Sequence, residues 1–346
     1  MSRKIILLTG GATGHGQAKT AVNLLRYKPE EVVAVWDPSH AGKTTQEVFG
    51  LGGHLPVIAA IAEAPQADTV MVGIAPSGGR LPPPMKAAVL DAIGRGMNVV
   101  SGLHEFLCND PDIASAAMKH RVQLQDVRKN NERDVANRQG LRADCLRVHT
   151  VGHDCNVGKM VVSLELALAL KRRGHRAKFI ATGQTGIMIE GDGCPVDAVV
   201  CDFLNGAAEK QVLAHQQQHD ILLIEGQGSI FHPRYSAVTL GLLHGCVPHG
   251  LILCYEVGRK TVSGMDHVPL PSLAEFKRLY EIMGNLAHPC KVIGIGMNSR
   301  KVSAEEAEQE RGRLRAEFGL PVCDVIRHGP GELEEAVLQL KRDLGM

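Results

Sequence analysis

Apolar and polar positions alternate along this chain in short blocks. Compact apolar runs end at glycine or proline, and longer stretches with apolar positions three and four apart follow them. The pattern predicts strands over 4–9, 32–36, 69–74, 98–101 and 122–127, with helices over 17–26, 85–95 and 112–119 between them. It then predicts strands over 148–151, 176–182, 220–224, 251–255, 292–296 and 321–325. Helices over 160–170, 196–215, 236–243, 272–283, 304–317 and 332–344 separate those. Strands alternating with helices imply crossover connections, so the expected class is α/β with two doubly wound, mostly parallel sheets. The stretch 128–142, RKNNERDVANRQGLR, is polar and almost without core residues. It reads as a linker or as a solvated helix, and the expected domains are 1–135 and 136–346.

Each half opens with a strand, a glycine-rich loop and a helix. In the second half the loop is Gly152-His153-Asp154-Cys155-Asn156-Val157-Gly158-Lys159. Main-chain N–H groups of such a loop and of the following helical turn converge on one point, where the helix dipole and Lys159 add positive charge. Phosphate is the ligand that this arrangement suits. The loop departs from G-x-x-x-x-G-K-[ST] in two ways. Five residues separate Gly152 from Gly158, one more than usual, and in that length and in Asp154 it resembles the loop of dethiobiotin synthetase. Met160 stands where a Ser or Thr hydroxyl would hold Mg²⁺, and a thioether is a poor ligand for a hard cation. The expected phosphate-binding residues are Gly152, Asp154, Asn156, Val157, Gly158, Lys159 and Met160. The first loop, Gly10 to Gly16, lacks the G-x-G-x-x-G spacing, so a dinucleotide turn and a plain tight turn explain it equally well. Asp37, after the second strand, could take a ribose hydroxyl or cap the turn Asp37-Pro38-Ser39; the turn is the favoured reading.

Composition narrows the function. A formal net charge of +1 and an aromatic content of 3% argue against nucleic acid or a membrane surface as partner. The nine cysteines contain no C-x-x-C pair, which suits reduced thiols in a cytoplasm. Among the sixteen histidines no H-x-x-x-H pair stands out as a ligand set, so no metal is expected. The start, MSRKIILLTGG, has too short an apolar core for a signal peptide, and no run reaches transmembrane length.

Several strings together resemble one family. They are GIAPSGG (73–79), SGLHEFL (101–107), DVRK (126–129), GHDCNVGK (152–159), ATGQTG (181–186), PVDAVVCDFLNGAAE (195–209) and EGQGSIFHPRYSAVTLGLLHG (225–245). The family has long been catalogued as a domain of unknown function, with a Rossmann-like N-terminal part and a P-loop NTPase-like C-terminal part. Some members are D-glutamate N-acetyltransferases. The resemblance spans nearly the whole chain. It implies transfer of acetyl from acetyl-CoA to the amine of an acidic amino acid, with D-glutamate as the expected substrate and a homo-oligomeric protein as the expected form.

Coenzyme A carries phosphates that a P-loop can hold without cleaving them, so a missing Mg²⁺ ligand is no obstacle. Acyl transfer needs a base for the ammonium proton and donors for the developing oxyanion. Glu225, at the place of a Walker B acid, and Asp202 are the expected bases. Main-chain N–H groups of 226–228 or the Gln227 amide are the expected oxyanion donors. His232 and His153 remain as alternate bases, and Cys155 reads as a small filler rather than a nucleophile. A dicarboxylate substrate suits arginine, so Arg234 and Arg259 are proposed to bind it, with Gln184 from the 181–186 turn. Two other readings stay open. One is an ATP- and Mg-dependent carboxylate-activating enzyme of the dethiobiotin synthetase kind. The other is a nucleotide-binding protein without turnover.

Overall fold

A computed structural model describes residues 3–14, 16–76 and 78–346; His15 of the first glycine-rich loop and Ser77 of the string 73–79 lie outside the described residues. The chain divides into two compact units. The first is 1–130 with 187–191, and the second is 131–186 with 192–346.

The first unit contains β1 (Ile5–Leu8), α1 (Lys19–Tyr27), β2 (Val32–Trp36), α2 (Thr45–Phe49), β3 (Val57–Ile58), β4 (Thr69–Val72), α3 (Pro83–Gly94), β5 (Asn98–Ser101), α4 (Pro111–His120) and β6 (Leu124–Asp126). Its six strands run in the order β3-β2-β1-β4-β5-β6, all pairs parallel. The order reverses at β1 and β4, as in Rossmann-type sheets. β1 reads Ile-Ile-Leu-Leu with all four side chains buried. A strand covered on both faces has no polar face to keep, so the run is continuously apolar. Each such side chain contributes roughly 1.5–3 kcal/mol by leaving water.

The second unit contains β7 (Leu146–Gly152), α5 (Lys159–Arg172), β8 (Ala177–Ile180), the first residues of α6 (Gln184–Glu190), whose remainder from 187 on belongs to the first unit, α7 (Cys201–His215), β9 (Ile221–Ile224), α8 (Ser236–Cys246), β10 (Gly250–Glu256), β11 (Thr261–Val262), β12 (Met265–Pro269), α9 (Leu273–Asn285), β13 (Lys291–Asn298), α10 (Ala304–Phe318), β14 (Val322–Cys323) and α11 (Gly331–Asp343). Six of its strands form a parallel sheet ordered β14-β13-β10-β7-β9-β8, and β11 pairs with β12 as a small antiparallel ribbon. β7 is central, so the loops after β7, β9, β10 and β13 all leave the same end of the sheet. That end is where ligands of open α/β sheets bind.

The stretch 127–145 holds neither helix nor strand. Part of it is tied to α7: buried Glu209 accepts from the N–H groups of Asn137 (3.0 Å) and Arg138 (2.7 Å). Gly206 makes room for it, since a Cβ there would lie 2.0 Å from the Asp134 carbonyl.

Several elements differ from the sequence reading, among them the short strands β3, β11 and β12, which it does not contain. The helix expected over 196–215 is broken: Val196–Ala198 makes one 3₁₀ turn, Val199 and Val200 are extended with ψ 139° and 134°, and α7 starts at Cys201. β-branched residues favour that extension. α2 went unread although Thr44 and Glu47 form a capping box, with Glu47 donating its N–H to Thr44 and receiving the Thr44 N–H. No helix is expected over α6, because Gly183 and Gly186 flank Gln184-Thr185, and these glycines serve the site described next.

Candidate active site

The loop after β7 is built from the strand outward. β7 buries all of its seven residues, and Gly152 pairs with Cys254 of β10. His153 N–H donates to the Cys254 carbonyl at 3.1 Å, and the Tyr280 hydroxyl donates to the Gly152 carbonyl at 2.7 Å. Asn156 (φ +56°) and Gly158 (φ +106°) then adopt left-handed conformations that turn the chain into α5. No side chain caps that helix, so the turn of main-chain donors is available to an anion. Gly152 must lack a side chain, because a Cβ would stand 2.9 Å from Val157 Cγ2 and 3.0 Å from Lys159 Nζ. Lys159 is 6% exposed and its ammonium donates to the Asp154 carbonyl at 2.7 Å, within its own loop. Met160 is buried at 2% exposure, so its thioether packs in the core.

Asp154 holds the loop from beneath. Its carboxylate is fully buried and accepts from Cys155 N–H (2.7 Å), Ser263 N–H (2.8 Å) and Arg259 Nη1 (2.7 Å). Arg259 also donates to the Cys155 carbonyl at 2.7 Å and pairs with Glu256 at 3.0 Å. The guanidinium expected to bind substrate is therefore a brace for the phosphate loop. Arg234 is different: it is exposed, and no ion pair engages its guanidinium among the described residues.

Glu225 lies at the end of β9 and is 1% exposed. Its Oε2 accepts from Thr182 N–H (2.9 Å) and Gly183 N–H (3.2 Å), and its Oε1 accepts from Gln227 Nε2 (3.1 Å). A Cβ on Gly186 would come 2.6 Å from Oε2, so glycine at that position makes room for the carboxylate. Gln184, the first residue of α6, is half-buried beside them. The expected oxyanion donors are mostly engaged. Gly226 N–H donates to Thr150 Oγ1 at 3.0 Å, and the Gln227 amide donates to Glu225 and to Thr182 Oγ1 (3.2 Å). Gln227 thus positions the carboxylate. Asp202, the second expected base, is exposed in the first turn of α7, where it complements the helix dipole.

Two histidines flank the loop. His232 accepts from Arg234 N–H at Nδ1 (3.1 Å), which leaves its proton on Nε2, 3.7 Å from Asp154 Oδ1. Burial lowers its pKa more than Asp154 raises it. His153 is 3% exposed with both ring nitrogens unpartnered, edge-on to Tyr255 and Phe276. Burial, with Arg259 adding to it, pushes its pKa down to about 3. Sequence reasoning did not foresee that Asp154, Cys155 and His232 would bring potential ligand atoms within 4.8 Å of one another. The Asp154 carboxylate is already engaged by the N–H groups of Cys155 and Ser263 and by Arg259, and His232 Nε2 stands beyond hydrogen-bond length from it. His232 is 78 positions from Asp154, and no local spacing signals the meeting.

The chain was compared with known proteins. The family described as Domain of unknown function (DUF1611_C) P-loop domain matches residues 133–334, and Domain of unknown function (DUF1611_N) Rossmann-like domain matches residues 38–130. A protein of Tritonibacter scottomollicae named D-glutamate N-acetyltransferase is 35% identical over 337 residues, covering 96% of this chain and 97% of its own length. A protein of the same name from Pseudoalteromonas sp. is 40% identical over 265 residues, covering 76% and 79%. The crystal structure of a DUF1611 family protein from Anabaena variabilis matches with a TM-score of 0.91 at 38% identity, covering 97% of this chain and 99% of that one.

Proposed function

Because the chain belongs to the DUF1611 family of paired Rossmann-like and P-loop domains, we propose that it is an N-acetyltransferase that moves acetyl from acetyl-CoA to the amine of D-glutamate. The observation that carries the reading is a phosphate loop whose metal-ligating hydroxyl is replaced by the buried thioether of Met160. Such a loop suits a phosphorylated carrier that is gripped and not cleaved. The similarity to two D-glutamate N-acetyltransferases supplies the substrate class.

The carrier, when bound, supplies an acetyl thioester. Lys159 and the uncapped N–H groups of α5 would hold its diphosphate. In the transfer, one ammonium proton leaves to a base, the amine nitrogen bonds to the acetyl carbon, and the C–S bond breaks with its electron pair going to sulfur, which leaves as the thiol with the second nitrogen proton. Glu225 is assigned that proton. The N–H groups of Thr182, Gly183 and Gln227 fix the orientation of its carboxylate. His153 is too weak a base at a pKa of about 3, and His232 presents a proton instead of a lone pair. Arg234 is assigned the substrate carboxylate, as an exposed cation two residues from His232.

Incubation with acetyl-CoA and D-glutamate, read by thiol release and by mass spectrometry of the N-acetyl product, tests the proposal. Transfer that persists in a chelator is expected. No thiol release with any acidic amino acid of either hand would overturn it, and Mg-ATP turnover stimulated by a carboxylate would favour the ATP-dependent reading instead.

A further inference from the structure

Beside the phosphate loop, the neighbouring strands end in an unbalanced set of charges. Glu256 and Asn298 are paired positions at the carboxyl ends of β10 and β13. Glu256 is 1% exposed and accepts from three cations: Arg259 (3.0 Å), Arg300 (2.7 Å) and Lys301 (2.8 Å). Burial alone would raise its carboxyl, but these cations outweigh it and hold it below the usual range. The cluster is continuous with the loop, because Arg259 bonds Asp154 and Cys155 on one side and Glu256 on the other. Three cations, Arg259, Arg300 and Lys301, meet the two carboxylates of Asp154 and Glu256.

The surplus sits on the outer members. Arg300 and Lys301 have side-chain exposures of 33% and 61%, so both keep donors free for a ligand. Their turn is fixed from below: Ser299 donates its N–H (2.8 Å) and hydroxyl (2.7 Å) to Asp324. The Asn298 amide lies 3.8 Å from where a Gly158 side chain would begin, so this shelf borders the phosphate loop directly. A carrier with a diphosphate alone would leave the shelf unused. Coenzyme A has a second anionic group, the 3′-phosphate on its ribose.

We propose that Arg300 and Lys301 bind the 3′-phosphate of the acetyl carrier, next to the diphosphate on the loop. The proposal rests on the acetyl-CoA reading above. Glu256 then acts as a buried counter-charge that aims both cations and keeps them from repelling one another before the ligand arrives.

The test compares acetyl-CoA with acetyl-dephospho-CoA as donors to D-glutamate, by kcat/KM, in the wild type, in Arg300→Ala with Lys301→Ala, and in the charge-keeping pair Arg300→Lys with Lys301→Arg. Calorimetry with CoA and dephospho-CoA gives the same contrast without turnover. The wild type is expected to favour acetyl-CoA by about ten- to hundredfold, the range of one or two charge-assisted bonds. The double alanine variant is expected to use the two donors alike, and the charge-keeping pair to regain most of the preference. A preference that survives in the double alanine variant with an unchanged melting temperature overturns the proposal alone. Transfer from neither donor overturns the acetyltransferase reading and this proposal with it. Should the double variant fail to fold, Lys301→Ala by itself must still shrink the preference severalfold, and an intact preference there also refutes it.

Discussion

After β1 the chain turns through Gly10 and Gly11 into α1; after β7 it turns through Asn156 and Gly158 into α5. Both are strand, glycine-rich loop and helix, yet they are held differently. In the first, Gly11, Gly14, Gly16 and Gln17 are exposed, and a Cβ on Gly14 or Gly16 would meet nothing within 4 Å. The nearby acid, Asp37, spends its oxygens on Ser39 N–H (3.1 Å), Ser39 Oγ (3.0 Å) and Thr9 Oγ1 (3.1 Å), so it caps a turn. In the second, Gly152, His153, Asp154, Val157 and Lys159 are buried, and the loop is bonded to Arg259 and Ser263 more than a hundred positions away. Glycine in the first loop serves the turning of the chain. Glycine in the second makes clearance for charged side chains and for a ligand.

The most severe test of that contrast is a pair of alanine substitutions. Gly226→Ala, in the turn after β9 that packs on Lys159 of the second loop, places a Cβ 1.8 Å from the Thr150 carbonyl, a backbone atom that cannot step aside. It should cost about 4 kcal/mol or more, or prevent folding. Gly14→Ala should stay within about 0.5 kcal/mol. Urea denaturation of both variants measures the difference, and equal losses would dissolve the contrast.

Acid should separate the two units next. His149, His153 and His249 are buried in the second unit, and burial pushes them down to about 4, 3 and 3; the first unit buries no histidine among its described residues. A folded pKa below the unfolded value of about 6.5 means that the neutral form is favoured by folding. The associated stability is complete above about pH 6.5 and is lost as pH falls toward the folded values. Each histidine gives up about 1.4 kcal/mol per pH unit in that window, so the three together lose about 4 kcal/mol between neutrality and pH 5.5. Hydrogen exchange should show β7 and β10 losing protection at pH 5.5 while β1 and β4 keep theirs. Equal loss in both sheets would refute the assignment.

A smaller effect, on activity, sharpens the same comparison. Lys159→Ala should reduce kcat/KM for acetyl-CoA about hundredfold, because it removes a buried cation that contributes about 1.5–3 kcal/mol to an anionic ligand. Lys19→Ala, at the matching first position of α1, should change it less than about twofold if the first loop holds no phosphate. Asp37→Ala should cost about 1–2 kcal/mol of stability, from lost bonds to Ser39 and Thr9 and the lost contact with His40, with acetyl transfer unaltered. A collapse of activity in that variant would give the first loop a ligand after all.

Much of the fold could be read along the chain, because strands buried on both faces are uninterrupted apolar runs such as Ile221–Ile224 and the helices between them keep their period. The phosphate loop was readable for the same reason: Gly158-Lys159 after a strand is a local signal. Short elements were harder. α2 carries its capping box within five residues, and β3 pairs only Val57 and Ile58. The partners of the site were not readable at all. Arg234 and Arg259 look alike as loop arginines, and only the fold reveals that one is bound to Asp154, 105 positions away, while the other is exposed. Glu225 was legible as an acid after a strand; that Gly183, Gly186 and Gln227 exist to seat it was not.

Thr150 ties the loop down in one further way. Its carbonyl crowds Gly226, its hydroxyl takes the Gly226 N–H, and that hydroxyl stands 2.9 Å from Ser163 of α5. Strand, loop, neighbouring turn and helix are thereby riveted into one block before any guest enters. A receptor finished in advance loses little freedom on capture, so discrimination between carriers falls to shape and charge at the rim rather than to a closing movement.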